Sequence, residues 1–272
     1  VPARRKPAIL LVGAGRMGSA LLKGWIAGGL APLIAVEPNP SPSLKKFTRT
    51  NGIAVLSAVE DVGDMQVGAC VVALKPQILR TEAVRLKPVA ASGALMLSIA
   101  AGTRIDSLRA AWGRSARIVR AMPNTPGSIG KGISALYAPR GITKGEKLRA
   151  KALLTGLGES LWVKHEHDID IVTAVSGSGP AYVFLLVECL ADAAEAEGLP
   201  RETAERLARA TIMGAGALLD ADPRPAAELR RDVTSPGGTT EAALGILAKD
   251  MPNLISRAVD AACRRAGELS GK

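Results

Sequence analysis

Ser235, Pro236, Gly237, Gly238, Thr239 and Thr240 follow one another late in a chain of 272 residues. Read locally, they form a helix entrance. Ser235 caps, Pro236 takes the first helical position, and residues 241–244 continue as helix. Capping alone does not need two glycines followed by two threonines. Glycines let a ligand approach the backbone N–H groups, and a helix start adds partial positive charge. Together they suit a small carboxylate. The threonine hydroxyls can serve a second group on the same ligand.

A second set of residues lies at the other end of the chain. Gly13, Ala14, Gly15, Arg16, Met17 and Gly18 fit the G-x-G-x-x-G pattern. The pattern follows an apolar run and opens a helical stretch, which is the context a dinucleotide needs. The first glycine permits the turn, the second lets the backbone approach pyrophosphate, and the third allows close packing of helix on strand. Glu37 ends the next apolar run, about 20 residues on, where an acid accepts ribose hydroxyls and favours NADH. Pro38, Asn39, Pro40 and Ser41 follow it, and no arginine is near. NADPH would rely on hydrogen bonds or on Lys45 and Lys46.

Other strand ends supply further candidates. Ala73, Leu74, Lys75 and Pro76 would touch the nicotinamide half of the cofactor, and the small residues Ala100, Ala101 and Gly102 would admit its ring. Asn124, between Pro123 and Pro126, is a rigidly held polar group at the same crevice edge; a plain turn is the alternative. His165 and His167 lack partners at metal spacing, so no metal site is expected.

Strands are predicted at 8–12, 33–36, 53–55, 69–74, 94–98 and 118–120, with helices or loops between them and further β structure to 161–163. Such alternation predicts a Rossmann-type, doubly wound α/β sheet, whose strand ends would gather these residues. After about residue 165 the pattern turns helical, over 169–198, 201–219, 226–233, 241–247 and 253–269. The expected division is a dinucleotide-binding domain at 1–165 and a helical dimerisation and substrate domain at 166–272.

Composition sets limits. Hydrophobic residues make up 47% and charged residues 22%, so a packed globular protein is expected. The net charge of +10 comes from scattered Lys and Arg, with short clusters such as Arg4-Arg5-Lys6. Aromatics are only 3%, which argues against a base-stacking nucleic-acid surface. Acidic, phosphorylated small ligands fit this charge better. Cys70, Cys189 and Cys263 read as buried free thiols in a reducing cytoplasm. The N-terminus does not read as a signal peptide. No apolar stretch is expected to span a bilayer.

The whole pattern resembles the pyrroline-5-carboxylate reductase family. The resemblance rests on residues 13–18, 73–76, 100–102 and 122–126, on Ser176-Gly177-Ser178-Gly179-Pro180-Ala181-Tyr182, and on 233–240. These segments occur in the family's order over nearly the whole chain. The resemblance implies a Rossmann domain, a helical dimerisation domain, homodimers and rings of dimers up to decamers. It also implies reduction of 1-pyrroline-5-carboxylate to L-proline by NADPH or NADH. By the same resemblance Thr240 hydrogen-bonds the ring nitrogen, while Ser235, Gly237, Gly238 and Thr239 hold the carboxylate. One position departs: Val59 stands where many members carry Asn on the adenosine side.

Two other readings compete. Another Rossmann reductase acting on a keto or hydroxy acid would need Lys75 or His165 as general acid, and neither lies in a supporting motif. A nucleotide sensor without catalysis would keep residues 13–18 but would not need the loop at 235–240.

Overall fold

The computed structural model describes residues 6–271. Arg4 and Arg5 of the basic N-terminal cluster, and the segment expected not to be a signal peptide, lie outside the described residues, apart from the stretch from Lys6 onward.

The chain separates into two compact units. The first comprises the residues up to Gly177 and those from Ala262 onward; the second is Ser178–Ala261. The first unit holds an eight-stranded sheet: β1 (Ala8–Val12), β2 (Leu33–Val36), β3 (Ala54–Leu56), β4 (Val67–Val72), β5 (Leu95–Ser98), β6 (Arg117–Met122), β7 (Gly132–Tyr137) and β8 (Gly158–Trp162). Their spatial order is β3-β2-β1-β4-β5-β6-β7-β8. All neighbours run parallel except β6 and β7, so the expected doubly wound α/β fold is present.

The strand sequences explain the layers. Successive side chains of a strand point to opposite faces. Ile9 and Leu11 therefore join one core, and Ala8, Leu10 and Val12 join the other. Five helices cover the sheet: α1 (Arg16–Ala27), α2 (Pro42–Thr50), α3 (Pro76–Glu82), α4 (Lys87–Ala91) and α5 (Ile105–Trp112). A sixth, α6 (Lys144–Leu154), starts with a capping box between Thr143 and Glu146. Leu21, Leu22 and Trp25 of α1 fill the first core with Leu153 and Leu154 of α6. The Trp25 indole N–H donates to the Leu153 carbonyl at 2.7 Å. On the same side Gly24 and Gly156 meet backbone to backbone, so that a Cβ on either would land on the other's Cα. Leu79, Leu108 and Trp112 fill the second core.

Beyond the sheet come α7 (Asp168–Val172), a π-helical turn (Thr173–Gly177), and α8 (Gly179–Ala196). Next are α9 (Arg201–Ala221), α10 (Ala226–Asp232) and α11 (Thr239–Leu269). The second unit buries little of its own: Ala191, Ala204 and Ala208 form its core. Phe184, Leu185, Met213, Ile246 and Leu254 stand exposed on it.

Four expectations need correction. The two helices predicted at 241–247 and 253–269 are one, because α11 continues through Pro252. A single proline removes one backbone donor but did not end this helix. The stretch Asp168–Ala196 is long and apolar enough to cross a membrane by length and composition alone. Pro180 lies at the start of α8, where its missing N–H costs nothing. Cys189 is exposed rather than buried, since it lies on α8 in the unit with the small core, and Cys263 is only partly covered. Cys70 alone is buried, which pushes its thiol pKa up. Finally, Pro236 does not begin a helix, as the loop geometry below shows.

Candidate active site

Four strand ends of the first unit bring the predicted cofactor residues together. Gly13 follows β1 with φ +90°, a conformation that other residues rarely adopt. A Cβ there would lie 2.9 Å from the Ala73 carbonyl oxygen and 3.0 Å from Leu74 Cδ2. The glycine turn and the Ala73–Leu74 strand end are thus in direct contact. The Ala73 N–H donates to Val12 O at 2.8 Å, and the Ile99 N–H to Val72 O at 3.1 Å. These bonds carry the edge on to Ala100, which is buried, and to Ala101 and Gly102. The Gly102 site packs on Leu269, with a Cβ contact of 3.2 Å to its carbonyl oxygen.

Gly15 caps α1, and Arg16 and Met17 begin that helix, within the glycine pattern itself. Space over Gly15 is open, with nothing within 4 Å of a Cβ placed there. An open glycine at a helix N-terminus is a cradle for pyrophosphate. Glu37 is half-buried beside it, and its carboxylate accepts from the Ala14 N–H at 2.9 Å and the Asn39 N–H at 3.2 Å. Beyond these strand ends lies a cavity of about 390 Å³, walled in part by Val12, Val36, Val59 and Leu74. Its size and apolar lining suit a planar base. The residues present therefore fit a dinucleotide. Lys75 is exposed just ahead of α3, with Pro76 as that helix's first residue.

Asn124 does the work of a turn. Its Oδ1 accepts the Ile133 N–H at 3.0 Å, tying the end of β6 to the start of β7. His165 and His167 stack with ring centroids 5.3 Å apart, and His167 Nε2 lies 3.3 Å from Asp168.

The 235–240 loop belongs to the second unit. Its Gly238 N–H donates to the Ser235 carbonyl at 3.0 Å, with Gly237 at φ +70°. That is a β-turn with Pro at its second position and Gly at its third, the pairing a type II turn requires. The helix starts only at Thr239. Pro-Gly turn chemistry thus overrides the helix-entrance reading of Ser235 and Pro236. The amides of Thr239, Thr240 and Glu241 precede the first helical bond, from the Ala242 N–H to Gly238 O. Such amides have no partner within the helix and face anions. A Cβ on Gly238 would clash with Ser235 Oγ and lie 3.0 Å from the Ser235 carbonyl oxygen, so a side chain there would have to displace the serine. Glu241 accepts the Gly237 N–H at 2.7 Å.

Sequence reasoning missed one buried network. Arg120 on β6 is 2% exposed and pairs with Glu166 at 2.7 Å. Glu166 also accepts the Ile105 N–H at 2.7 Å. Asp170 bonds Arg104 and the Ser270 hydroxyl, each at 3.2 Å. The available signal was Arg120, a charged residue set between the apolar Val119 and Ala121.

Comparison with known proteins places the chain among relatives. Residues 166–269 match the family model described as pyrroline-5-carboxylate reductase dimerisation. A pyrroline-5-carboxylate reductase of Pseudomonas aeruginosa is 40% identical over 267 residues, covering 97% of each chain. The structure of such a reductase from Coxiella burnetii superposes with a TM-score of 0.88 at 34% identity, covering 97% of this chain and 98% of that one. A pyrroline carboxylate reductase of Plasmodium falciparum, solved with NADP bound, gives a TM-score of 0.81 at 30% identity over 98% and 99% of the two chains.

Proposed function

The chain belongs to the pyrroline-5-carboxylate reductase family, and from that premise we propose that it reduces 1-pyrroline-5-carboxylate to L-proline with NADH or NADPH, the last step of proline biosynthesis. The observation that carries the reading is the 235–240 loop: a tight turn leading straight into a helix start, with two hydroxyl residues at that start. The substrate is a small ring with one carboxylate and one C=N bond, and each has a counterpart in the loop.

Ser235, Gly237, Gly238 and Thr239 hold the carboxylate. Thr240 is the catalytic residue, hydrogen-bonded to the ring nitrogen. Asn124, whose Oδ1 is committed to Ile133, offers its amide nitrogen to the substrate. Gly13, Ala14, Gly15, Arg16, Met17, Gly18, Glu37, Asn39, Ala73, Leu74, Lys75, Pro76, Ala100, Ala101 and Gly102 hold the cofactor. When bound, that cofactor supplies a hydride to the imine carbon. The nitrogen gains one proton, and amine plus oxidised nicotinamide result. A threonine hydroxyl is too weakly acidic to donate that proton, so water delivers it while Thr240 orients the ring.

The helices of 166–272 pair two copies of the chain, with larger rings built from those dimers. The exposed apolar residues of α8 and α11 support this assembly. The same helical faces, covered by a second copy, allow the enzyme to work in the cytoplasm away from membrane and nucleic acid.

The test follows nicotinamide absorbance as purified protein meets racemic 1-pyrroline-5-carboxylate, once with each cofactor. Imine-dependent oxidation with proline as product is expected. Oxidation with a 2-ketoacid but not with the imine would overturn the reading.

A further inference from the structure

We propose that this chain selects NADH and turns away the 2′-phosphate of NADPH, an inference that rests on the reductase reading above. Glu37 and the loop from β2 to α2 supply the argument. The Glu37 carboxylate is pinned by two backbone donors, the N–H of Ala14 at 2.9 Å and that of Asn39 at 3.2 Å. One of those donors belongs to the glycine turn itself. An adenosine ribose lying over this turn meets a fixed carboxylate, which accepts from hydroxyls. A 2′-phosphate carries close to two negative charges at neutral pH and is repelled there.

The loop also offers a phosphate few backbone donors. Pro38, Pro40 and Pro42 have no N–H. The Asn39 N–H is spent on Glu37, and the Leu44 N–H on Ser41 Oγ at 3.2 Å. The Ser41 and Ser43 hydroxyls bond each other at 3.0 Å.

Compensating positive charge is missing from the adenosine cavity as well. Among the described residues that line it, Arg85 is the one cation. Its guanidinium is already committed, to Glu60 at 2.7 and 2.9 Å and to Glu82 at 2.7 Å. Lys45 and Lys46 carry charge on α2, beyond the proline run, and NADPH would have to recruit them.

Calorimetric titration of the full-length protein with NADH and with NADPH tests this. NADH is expected to bind at least about tenfold tighter, the ratio that ~1.4 kcal/mol of like-charge repulsion produces. Glu37→Gln keeps an acceptor for the Ala14 N–H but removes the charge, and it should bring the two affinities closer together. NADPH binding as tightly as NADH to the unaltered protein would overturn the proposal, whether or not the variant folds. Cofactor binding without imine turnover would remove the reductase reading alone. Failure of both cofactors to bind would remove the nucleotide site and both readings with it.

Discussion

Glu241 closes the turn that precedes its own helix, its carboxylate accepting the Gly237 N–H at 2.7 Å. An anionic ligand at this turn therefore meets a carboxylate already in place. Glu241→Gln keeps the acceptor and removes the charge. Its expected effect is a KM for the imine lowered roughly two- to fivefold, from ~0.3–1 kcal/mol at a helix terminus, with kcat little changed. Steady-state kinetics decide. A raised KM would mean that the charge shapes the loop instead of competing with the substrate.

Thr240 lies in the first turn of α11. Thr240→Ala should lower turnover by roughly 10- to 1000-fold, the range for a lost polar catalytic contact, while cofactor affinity stays the same. Thr240→Ser should recover part of the loss. Unchanged kinetics in the alanine variant would take Thr240 out of the site.

Gly24 and Gly156 press backbone on backbone, and neither has room for a methyl group. Gly24→Ala should destabilise the first unit by about 1–3 kcal/mol, the usual cost of overpacking. Urea unfolding would show the midpoint fall. An unchanged midpoint would mean that α1 can shift away without cost.

Arg117 holds the Glu146 carboxyl down, from 4.5 to about 2, chiefly through their side-chain hydrogen bonds. In the unfolded chain that carboxyl returns to its ordinary value. The pair thus stabilises fully above about 4.5, and this contribution is lost as pH falls toward 2. Acid titrations of unfolding should show Arg117→Met losing stability less steeply in that window. Identical slopes would show that the pair contributes nothing.

Phe184 is 62% exposed on α8, within the segment that matches the family's dimerisation model. Phe184→Asp should shift the protein toward monomers in sedimentation velocity, because a charge cannot be buried unpaired in an apolar interface. An assembly of unchanged mass would place the contact on another face.

Much of the first unit could be read directly, for a physical reason. Strands buried on both faces are continuous apolar runs, and β1 and β2 begin and end where their runs do. The next long strand was less legible. Its predicted span, 69–74, overshoots β4, because Ala73 and Leu74 are apolar yet serve as the link to the proline that opens α3. The substrate loop was recognisable by residue type but not by shape, since Pro-Gly supports a turn and Pro alone supports a helix start. Arg120 stood out, but its partner Glu166 was not legible, because the two lie far apart in the chain and only folding joins them.

The segment from Glu37 to Pro42 is tied to the glycine turn through Ala14 and to the start of α2 through Ser41. That has a bearing on redesign. Under the proposed NADH selection, exchanging the charge at Glu37 alone would soften that selection without reversing it, because Pro38, Pro40 and Pro42 would still withhold three amides. An engineer seeking the other cofactor would have to replace the whole strand-to-helix connection, and would disturb the Ala14 turn in doing so.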